Sequence, residues 1–215
     1  MKKIATALLL VAFIFCLTAC SSDDSAFLRD YLQGSLDSVY KGIHSKEYKE
    51  AIDNNNEFEL NEHYLTGMGQ EADYFAGYFQ MEVLPDEIRN ELIEFYQTLY
   101  SHAKYEVGTI SKSGDNYTAE LTIYPLDLIV NYVESDEFSA YVDDFNANNN
   151  PNEMDLEVYE TIWVRGIIDA LNERMSDVGY LEAQKIAVLL QTNENGVYYI
   201  TDQDMARIDQ FMIAY

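Results

Sequence analysis

The chain has 215 residues, with 13 Lys plus Arg against 38 Asp plus Glu, so its formal net charge is -25. Its 18 Tyr, 10 Phe and single Trp supply enough aromatic surface for a packed core, which excludes a disordered chain. The strong negative charge argues against nucleic acid as a partner, because it repels polyphosphate.

The first residues predict a signal peptide. Lys2 and Lys3 precede an uncharged, largely apolar run over residues 4–17, which leads into the tetrapeptide Leu-Thr-Ala-Cys at 17–20. The run is shorter than the ~20 residues that a membrane-spanning helix needs. We therefore expect a cleaved leader, and no uncleaved anchor.

The leader resembles that of bacterial lipoproteins, whose lipobox is an aliphatic residue, two small residues and Cys. The resemblance implies cleavage between Ala19 and Cys20 and a diacylglyceryl group on the Cys20 sulfur. It makes Cys20 the predicted lipid-attachment site and places the protein on the extracytoplasmic face of the cell membrane. The predicted organisation is a leader at 1–19, a lipidated Cys with a short tether at 20–24, and a single domain at 25–215.

Cleavage would leave the mature chain more acidic and without a free thiol. Residues 1–19 contain two of the 13 basic residues and none of the 38 acidic ones, so the net charge becomes -27. Cys16 leaves with the leader, which excludes a disulfide, a thiolate metal site and a Cys nucleophile. Because anionic headgroups repel acidic proteins, we expect attachment by the lipid alone, with no basic membrane-binding face.

Helical spacing of apolar residues predicts three helices in the first half of the mature chain. The first helix starts at Ser25 and carries one apolar face, made of Leu28, Leu32, Leu36, Val39 and Ile43. A less regular second helix covers 61–81. The third begins at Pro85, which favours a first helical turn, and ends near 102.

The spacing then changes from helical to alternating. The apolar face of the predicted strand consists of Tyr117, Ala119, Leu121 and Ile123. This strand pairs with 104–111 in a hairpin that ends at Pro125, which lacks a backbone donor.

Two helices follow, at 126–145 and 153–175. The second is predicted to be the central core helix, with an apolar stripe of Leu156, Tyr159, Ile162, Trp163, Ile167, Ala170 and Leu171. A second hairpin joins 183–192 to 197–201 around Asn195-Gly196, a strong turn signal. A last helix covers 202–213.

This order predicts an α+β fold, an antiparallel sheet of two hairpins covered by helices. The leader, the long first helix and the hairpins at 105–125 and 183–201 resemble those of uncharacterised lipoproteins of low-GC Gram-positive bacteria. The resemblance implies a cystatin-like or nuclear-transport-factor-like cone. Such cones often enclose a pocket and host both enzymes and binding modules, so the fold does not decide the function.

Three motif matches lack the context that their chemistry requires. Gly67 and Gly69 match a dinucleotide-binding fingerprint, but no apolar strand precedes them. A Ser-x-x-Lys match at Ser38 and Lys41 and a Lys-Ser-Gly match at 112–114 lack the third element of penicillin-binding enzymes. We interpret all three as coincidences.

No metal site and no cofactor are predicted. The three histidines, His44, His63 and His102, are too widely spaced to indicate a transition-metal site. One weak calcium-loop pattern remains open, formed by Asp144, Asn146, Asn148, Asn150, Asn152 and Asp155. A solvated loop between two helices is the favoured interpretation of that segment.

Eight aromatic residues are candidates for a cleft that holds a sugar, peptide or lipid, or are ordinary core residues: Tyr74, Phe75, Tyr78, Phe79, Tyr96, Tyr100, Tyr159 and Trp163. The favoured function is a surface-anchored binding or interaction module for a small ligand or an envelope protein. The alternatives are a pocket enzyme with Tyr and carboxylate acid/base groups, and a solute-binding lipoprotein. A cavity with a titratable carboxylate beside a Tyr would favour the enzyme.

Overall fold

The computed structural model describes residues 22–193 and 197–215, and side chains from residue 25 onward. Its helices are α1 Ser22–Lys41, α2 Lys46–Ala51, α3 Glu57–Tyr78, α4 Asp86–Tyr100, α5 Leu128–Val133, α6 Asp136–Asn148, α7 Leu156–Glu173 and α8 Asp202–Met212. Its strands are β1 Lys104–Ser113, β2 Asn116–Tyr124, β3 Gln184–Thr192 and β4 Tyr198–Ile200. The predicted lipid site Cys20 and the predicted turn Asn195-Gly196 lie outside the described residues.

The four strands form one open antiparallel sheet in the order β1-β2-β3-β4, which confirms the predicted α+β class. The predicted apolar face of β2 is buried, because Tyr117, Ala119, Leu121 and Ile123 are all less than 9% exposed. The β1–β2 turn contains Gly114 at φ +63°, a left-handed conformation that favours Gly. Strand alternation was therefore a reliable guide to the covered face.

Helix α1 lies against β1 and forms one wall of the core. Arg29 donates to the Val107 carbonyl, and the Tyr105 hydroxyl donates to Asp37 at 2.7 Å. The first four residues of the predicted apolar face are inside or half-buried, but Ile43 is 55% exposed. The reason is that α1 ends at Lys41, and Gly42 at φ +62° turns the chain before Ile43.

The described residues form eight α-helices where six were predicted. The segment predicted as one helix at 126–145 is divided into α5 and α6, because the Ser135 hydroxyl caps a new helix by accepting from the Phe138 N–H at 3.1 Å. The unpredicted helix α2 begins in the same way, with Ser45 accepting from the Tyr48 N–H at 3.0 Å. Local capping decided both boundaries.

The predicted stripe of α7 was partly wrong. Leu156 and Ile162 are each 43% exposed. The buried residues of α7 are Glu160, Val164, Ile167, Ile168 and Leu171. The helix packs with this face on α4 and α5 at the side of the core, and does not form its centre.

Helix α8 covers part of the β3 edge that the short strand β4 leaves unpaired. Asp204 accepts from the Leu189 N–H at 2.8 Å, and Arg207 donates to the Ala187 carbonyl. Asp204 and Arg207 also pair with each other at 2.7 Å. Two side chains thus supply hydrogen bonds that a longer strand would supply.

Candidate functional site

The structure divides the eight candidate aromatic residues between two cavities and the core. Tyr78, Phe79, Tyr159 and Trp163 line one cavity, which we call the Trp163 cleft. Tyr74 and Tyr100 line another, which we call the Glu71 cavity. Phe75 and Tyr96 are fully buried in the core.

The Trp163 cleft has a volume of about 550 Å³ and lies among the end of α3, α6 and α7. Its rings contact one another: the Phe145 ring lies 4.9 Å from that of Tyr159 and 5.0 Å from that of Trp163. The Trp163 indole N–H donates to the Phe79 carbonyl at 3.2 Å. Its carboxylate, Glu160, is buried and already accepts hydrogen bonds from the backbone. Aromatic side chains that pack on one another therefore form most of the lining of the cleft.

Glu160 holds the connection between α3 and α4. Its two carboxylate oxygens accept from the backbone N–H groups of Glu82 at 2.9 Å and Val83 at 2.8 Å. The residue is 6% exposed. Its charge is compensated by these two N–H dipoles, so its role is structural.

The Glu71 cavity has a volume of about 540 Å³ and lies among α1, α3, α4 and α8. Its aromatic, polar and sulfur-containing lining residues are Tyr40, Met68, Gln70, Glu71, Tyr74, Tyr100, Met205, Asp209, Gln210 and Tyr215. Tyr215 reaches this cavity because the chain after α8 pairs with Leu126, whose carbonyl accepts from the Ala214 N–H at 2.9 Å.

Two tyrosines each donate a hydrogen bond to a carboxylate in this cavity. The Tyr100 hydroxyl donates to Glu71 at 2.6 Å, and the Tyr40 hydroxyl donates to Asp209. The Tyr40 and Tyr100 rings lie 5.2 Å apart, and each residue is 1% exposed. Two Tyr–carboxylate pairs therefore stand side by side, with Glu71 half-buried and Asp209 at the exposed rim.

Burial sets the protonation of this group. Loss of water raises the pKa of the Glu71 carboxyl, the hydrogen bond from Tyr100 lowers it in part, and the charge of Asp209 raises it further. Burial also raises the pKa of the Tyr40 and Tyr100 hydroxyls well above the ordinary value, and the adjacent carboxylates raise it again. Both hydroxyls therefore keep their protons at neutral pH and act as fixed hydrogen-bond donors.

The two carboxylates have no cationic partner in the part of the chain that the structure describes. None of its ion pairs involves Glu71 or Asp209. Aromatic rings stand beside them: Tyr74 meets Tyr215 edge-on at 4.8 Å, and the Tyr215 hydroxyl is 2.5 Å from that of Tyr96. The cavity thus combines carboxyl groups that have no cationic partner among the described residues with aromatic walls.

The sequence predicted two residues of this cavity and, as one alternative, a pocket with Tyr and carboxylate groups, but it did not identify the carboxylates. Tyr74 and Tyr100 were candidates, whereas Tyr40, Glu71 and Asp209 were not singled out. With 38 acidic residues, no spacing of carboxylates is informative. Tyr40 and Asp209 are also 169 positions apart, a contact that no local pattern indicates.

The enzyme-like motifs form no site. Ser38 lies on α1 within 3.0 Å of the His44 ring, and Lys41 lies 3.7 Å from Asp37. The Lys-Ser-Gly match at 112–114 falls at the end of β1 and in the following turn. Gly67 and Gly69 lie inside α3, so no strand precedes them.

Only the second half of the open calcium-loop pattern lies in a loop, between α6 and α7. Asp144, Asn146 and Asn148 all lie in α6, where a helical backbone separates side chains that a calcium loop would bring together. Asn148 donates instead to the Asp144 side chain at 3.0 Å. Over residues 22–193 and 197–215, no three His, Cys, Asp or Glu side chains form a group suited to a metal ion.

No protein-family model matches the chain, and no curated protein matches it. The crystal structure of YcdA from Bacillus subtilis, described as a predicted lipoprotein, has a similar fold, with a TM-score of 0.61 and 16% sequence identity. The match covers 88% of this chain and 56% of that one, so this chain corresponds to little more than half of its length. At this identity, the likeness shows the fold alone.

None of the helices in the described ranges is long and apolar enough to cross a membrane.

Proposed function

We propose that the protein is a lipid-anchored extracytoplasmic binding protein that holds a small organic cation in the Glu71 cavity. The attachment part of this proposal is supported by the lipobox at 17–20, which would place a diacylglyceryl group on Cys20. The description of YcdA as a predicted lipoprotein agrees with it. Two acyl chains hold a protein on a membrane stably, whereas one holds it weakly.

The binding part rests on a single observation, the half-buried Glu71 that has no cationic partner among the described residues. Taking a carboxylate out of water is costly unless an opposite charge or several donors compensate it. Tyr100 supplies one donor, which leaves other lone pairs on Glu71 open toward the cavity. A ligand ammonium group would supply the missing charge, and the rings of Tyr74 and Tyr215 would attract it through their faces.

The Glu71 cavity meets the condition given above for an enzyme, a titratable carboxylate beside a Tyr. The state of its tyrosines nevertheless favours binding over catalysis. Both hydroxyls are committed to carboxylates, and their raised pKa values make them poor proton donors or acceptors near neutral pH. The residues that line the Glu71 cavity include no Ser, Thr, Cys, His or Lys as a nucleophile. An enzyme here would have to use the carboxylates alone.

Calorimetric titration at low salt tests this proposal. The cationic probes are choline and putrescine, and 3,3-dimethylbutanol is the neutral probe that matches the shape of choline. We expect a 1:1 complex with at least one cation and no measurable heat with the neutral alcohol. Equal binding of choline and the alcohol would show that charge is not recognised.

Two variants with the same charge change locate the site. Glu71→Gln keeps an acceptor for Tyr100 but removes the negative charge, and should weaken cation binding at least tenfold. Glu106→Gln is the matched control, because Glu106 also accepts from a Tyr, Tyr124 at 3.0 Å, but lies exposed on the outer face of the sheet. Equal loss in both variants would assign the effect to overall charge and reject the cavity.

A further inference from the structure

The N-terminal turn of α1 and the turn ends of both hairpins lie at one end of the molecule. Tyr117 at the start of β2 pairs with Leu190 near the end of β3, and Thr192 pairs with Tyr198. The Phe27 ring of α1 lies 5.8 Å from the Tyr198 ring, which lies 5.9 Å from that of Tyr117. We call this the anchor end.

Helix α1 runs from the anchor end to the opposite end of the sheet. Near its start, Arg29 meets Val107 in the middle of β1, and further along, Asp37 meets Tyr105 at the beginning of β1. The helix begins at Ser22, two residues after Cys20. Two residues span about 7 Å at most, so a lipid on Cys20 would hold the anchor end close to the bilayer.

The anchor end carries three exposed apolar side chains. Phe27 is 43% exposed, Val197 is 41% exposed and Tyr199 is 40% exposed. Because Tyr199 follows Tyr198 on β4, it points to the outer face of the sheet, whereas Phe27 lies on the face that α1 covers. We propose that these three side chains, on the two sides of the sheet's end, form a membrane-contact patch that rests in the interfacial layer of the bilayer. The proposal depends on the lipid attachment at Cys20 given above. Tyr side chains, which combine an apolar body with a polar end, are enriched in that layer, and Phe27 and Val197 would add apolar surface to the contact.

A bilayer is the occupant that the covalent geometry favours. The lipid keeps the patch at high effective concentration near the membrane, so weak apolar contacts are enough to orient the domain. Such contacts need no basic residues, which agrees with the acidic charge of the chain. Tyr40 of the Glu71 cavity is 13 positions after Phe27 on α1, roughly 20 Å along the helix axis, so the cavity would lie away from the membrane.

Oxidative footprinting of a membrane-coupled protein tests the patch. Cys20 is the sole cysteine of residues 20–215, so its thiol can be coupled to a maleimide lipid in phosphatidylcholine vesicles at low surface density. Hydroxyl-radical oxidation of each side chain is then measured by mass spectrometry, with uncoupled protein as the reference. Phe58, which is 74% exposed on α3, is the control.

We expect coupling to slow the oxidation of Phe27 and Tyr199 at least threefold and to leave Phe58 unchanged. Unchanged oxidation of Phe27 and Tyr199 would overturn the patch. Protection that appears only at high surface density would also overturn it, because the occupant would then be a second copy. Chemical coupling makes the result independent of lipidation in the cell, which the mass of the native N-terminal peptide tests separately.

Discussion

Two half-buried or buried glutamates have opposite roles in this molecule. Glu160 accepts from two backbone N–H groups and fixes a loop, whereas Glu71 accepts from one Tyr and faces a cavity. The first arrangement compensates the charge within the protein. The second leaves the carboxyl group without a compensating positive charge, which a ligand can supply. Removal of the charge should therefore have different effects at the two positions.

The stability contribution of Glu71 should depend on pH. Because its folded pKa is raised above the ordinary value, the folded state binds the proton more tightly than the unfolded state. The free energy of unfolding therefore falls as pH rises from the ordinary carboxyl range through the raised pKa. Glu71→Gln cannot titrate and does not lose this free energy. The free energy of unfolding of the variant minus that of wild type should therefore increase from pH 4.5 to pH 7.5.

Urea denaturation at the two pH values checks this prediction, with Glu106→Gln as the reference for a simple change in net charge. A difference between Glu71→Gln and wild type that shrinks as pH rises would contradict the assigned direction. Such a result would mean that Glu71 is better stabilised as a charged group in the folded protein than we infer.

Glu160→Ala should be strongly destabilising. The substitution leaves the N–H groups of Glu82 and Val83 without their acceptor, and a lost charged hydrogen bond of this kind costs about 1.5 to 3 kcal/mol. We expect a loss of about 3 kcal/mol in the free energy of unfolding, measured by urea denaturation. Asp169→Ala, at an exposed position of the same helix, should stay within about 0.5 kcal/mol. Similar losses in both variants would reject this structural role of Glu160.

At the scale of elements, the sequence predicted most of the helices and strands because their apolar spacing is strong. The strand face of β2 is an example: every second residue is apolar and every predicted one is buried. The break at Ser135 was missed because apolar residues continue at helical spacing on both sides of it. The buried side of α7 was missed because it includes Glu160. The two backbone N–H groups that donate to Glu160 lie 77 and 78 positions away in the chain, so no local pattern indicates them.

Asp204 should protect the sheet edge. Asp204→Ala removes the acceptor of the Leu189 N–H and the partner of Arg207, which should cost about 2 kcal/mol in the free energy of unfolding. The uncovered β3 edge should also increase self-association, measured by light scattering after size exclusion. Asp202→Ala, exposed in the first turn of the same helix, is the control. A monomeric Asp204→Ala variant of unchanged stability would refute the role of this residue.

At the scale of the whole molecule, the fold class followed from the order of elements, but the candidate site did not. The Glu71 cavity joins residues from α1, α3, α4, α8 and the end of the chain, so its composition depends on tertiary packing. Tyr74 and Tyr100 were candidates because the chain is rich in aromatic residues, whereas Tyr40 and Tyr215 were not singled out. The carboxylates of the cavity belong to a group of 38 and could be recognised only from their surroundings.

Lipid attachment predicts a defined N-terminus. When the full chain is expressed in a Gram-positive host, its first peptide should begin at Cys20 and carry the mass of a diacylglyceryl group, because the lipobox resemblance implies both steps. Mass spectrometry of the N-terminal peptide measures this directly. An N-terminus at another residue, or an unmodified Cys20, would contradict the anchoring part of the account.

The most direct test of the account is native mass spectrometry of residues 21–215, recorded with and without added choline or putrescine. We predict a one-to-one adduct with wild type that disappears on denaturation, persists in Glu106→Gln and is lost in Glu71→Gln. A wild-type spectrum that shows no adduct with either cation, or an adduct that Glu71→Gln retains in full, would contradict a cation-binding Glu71 cavity.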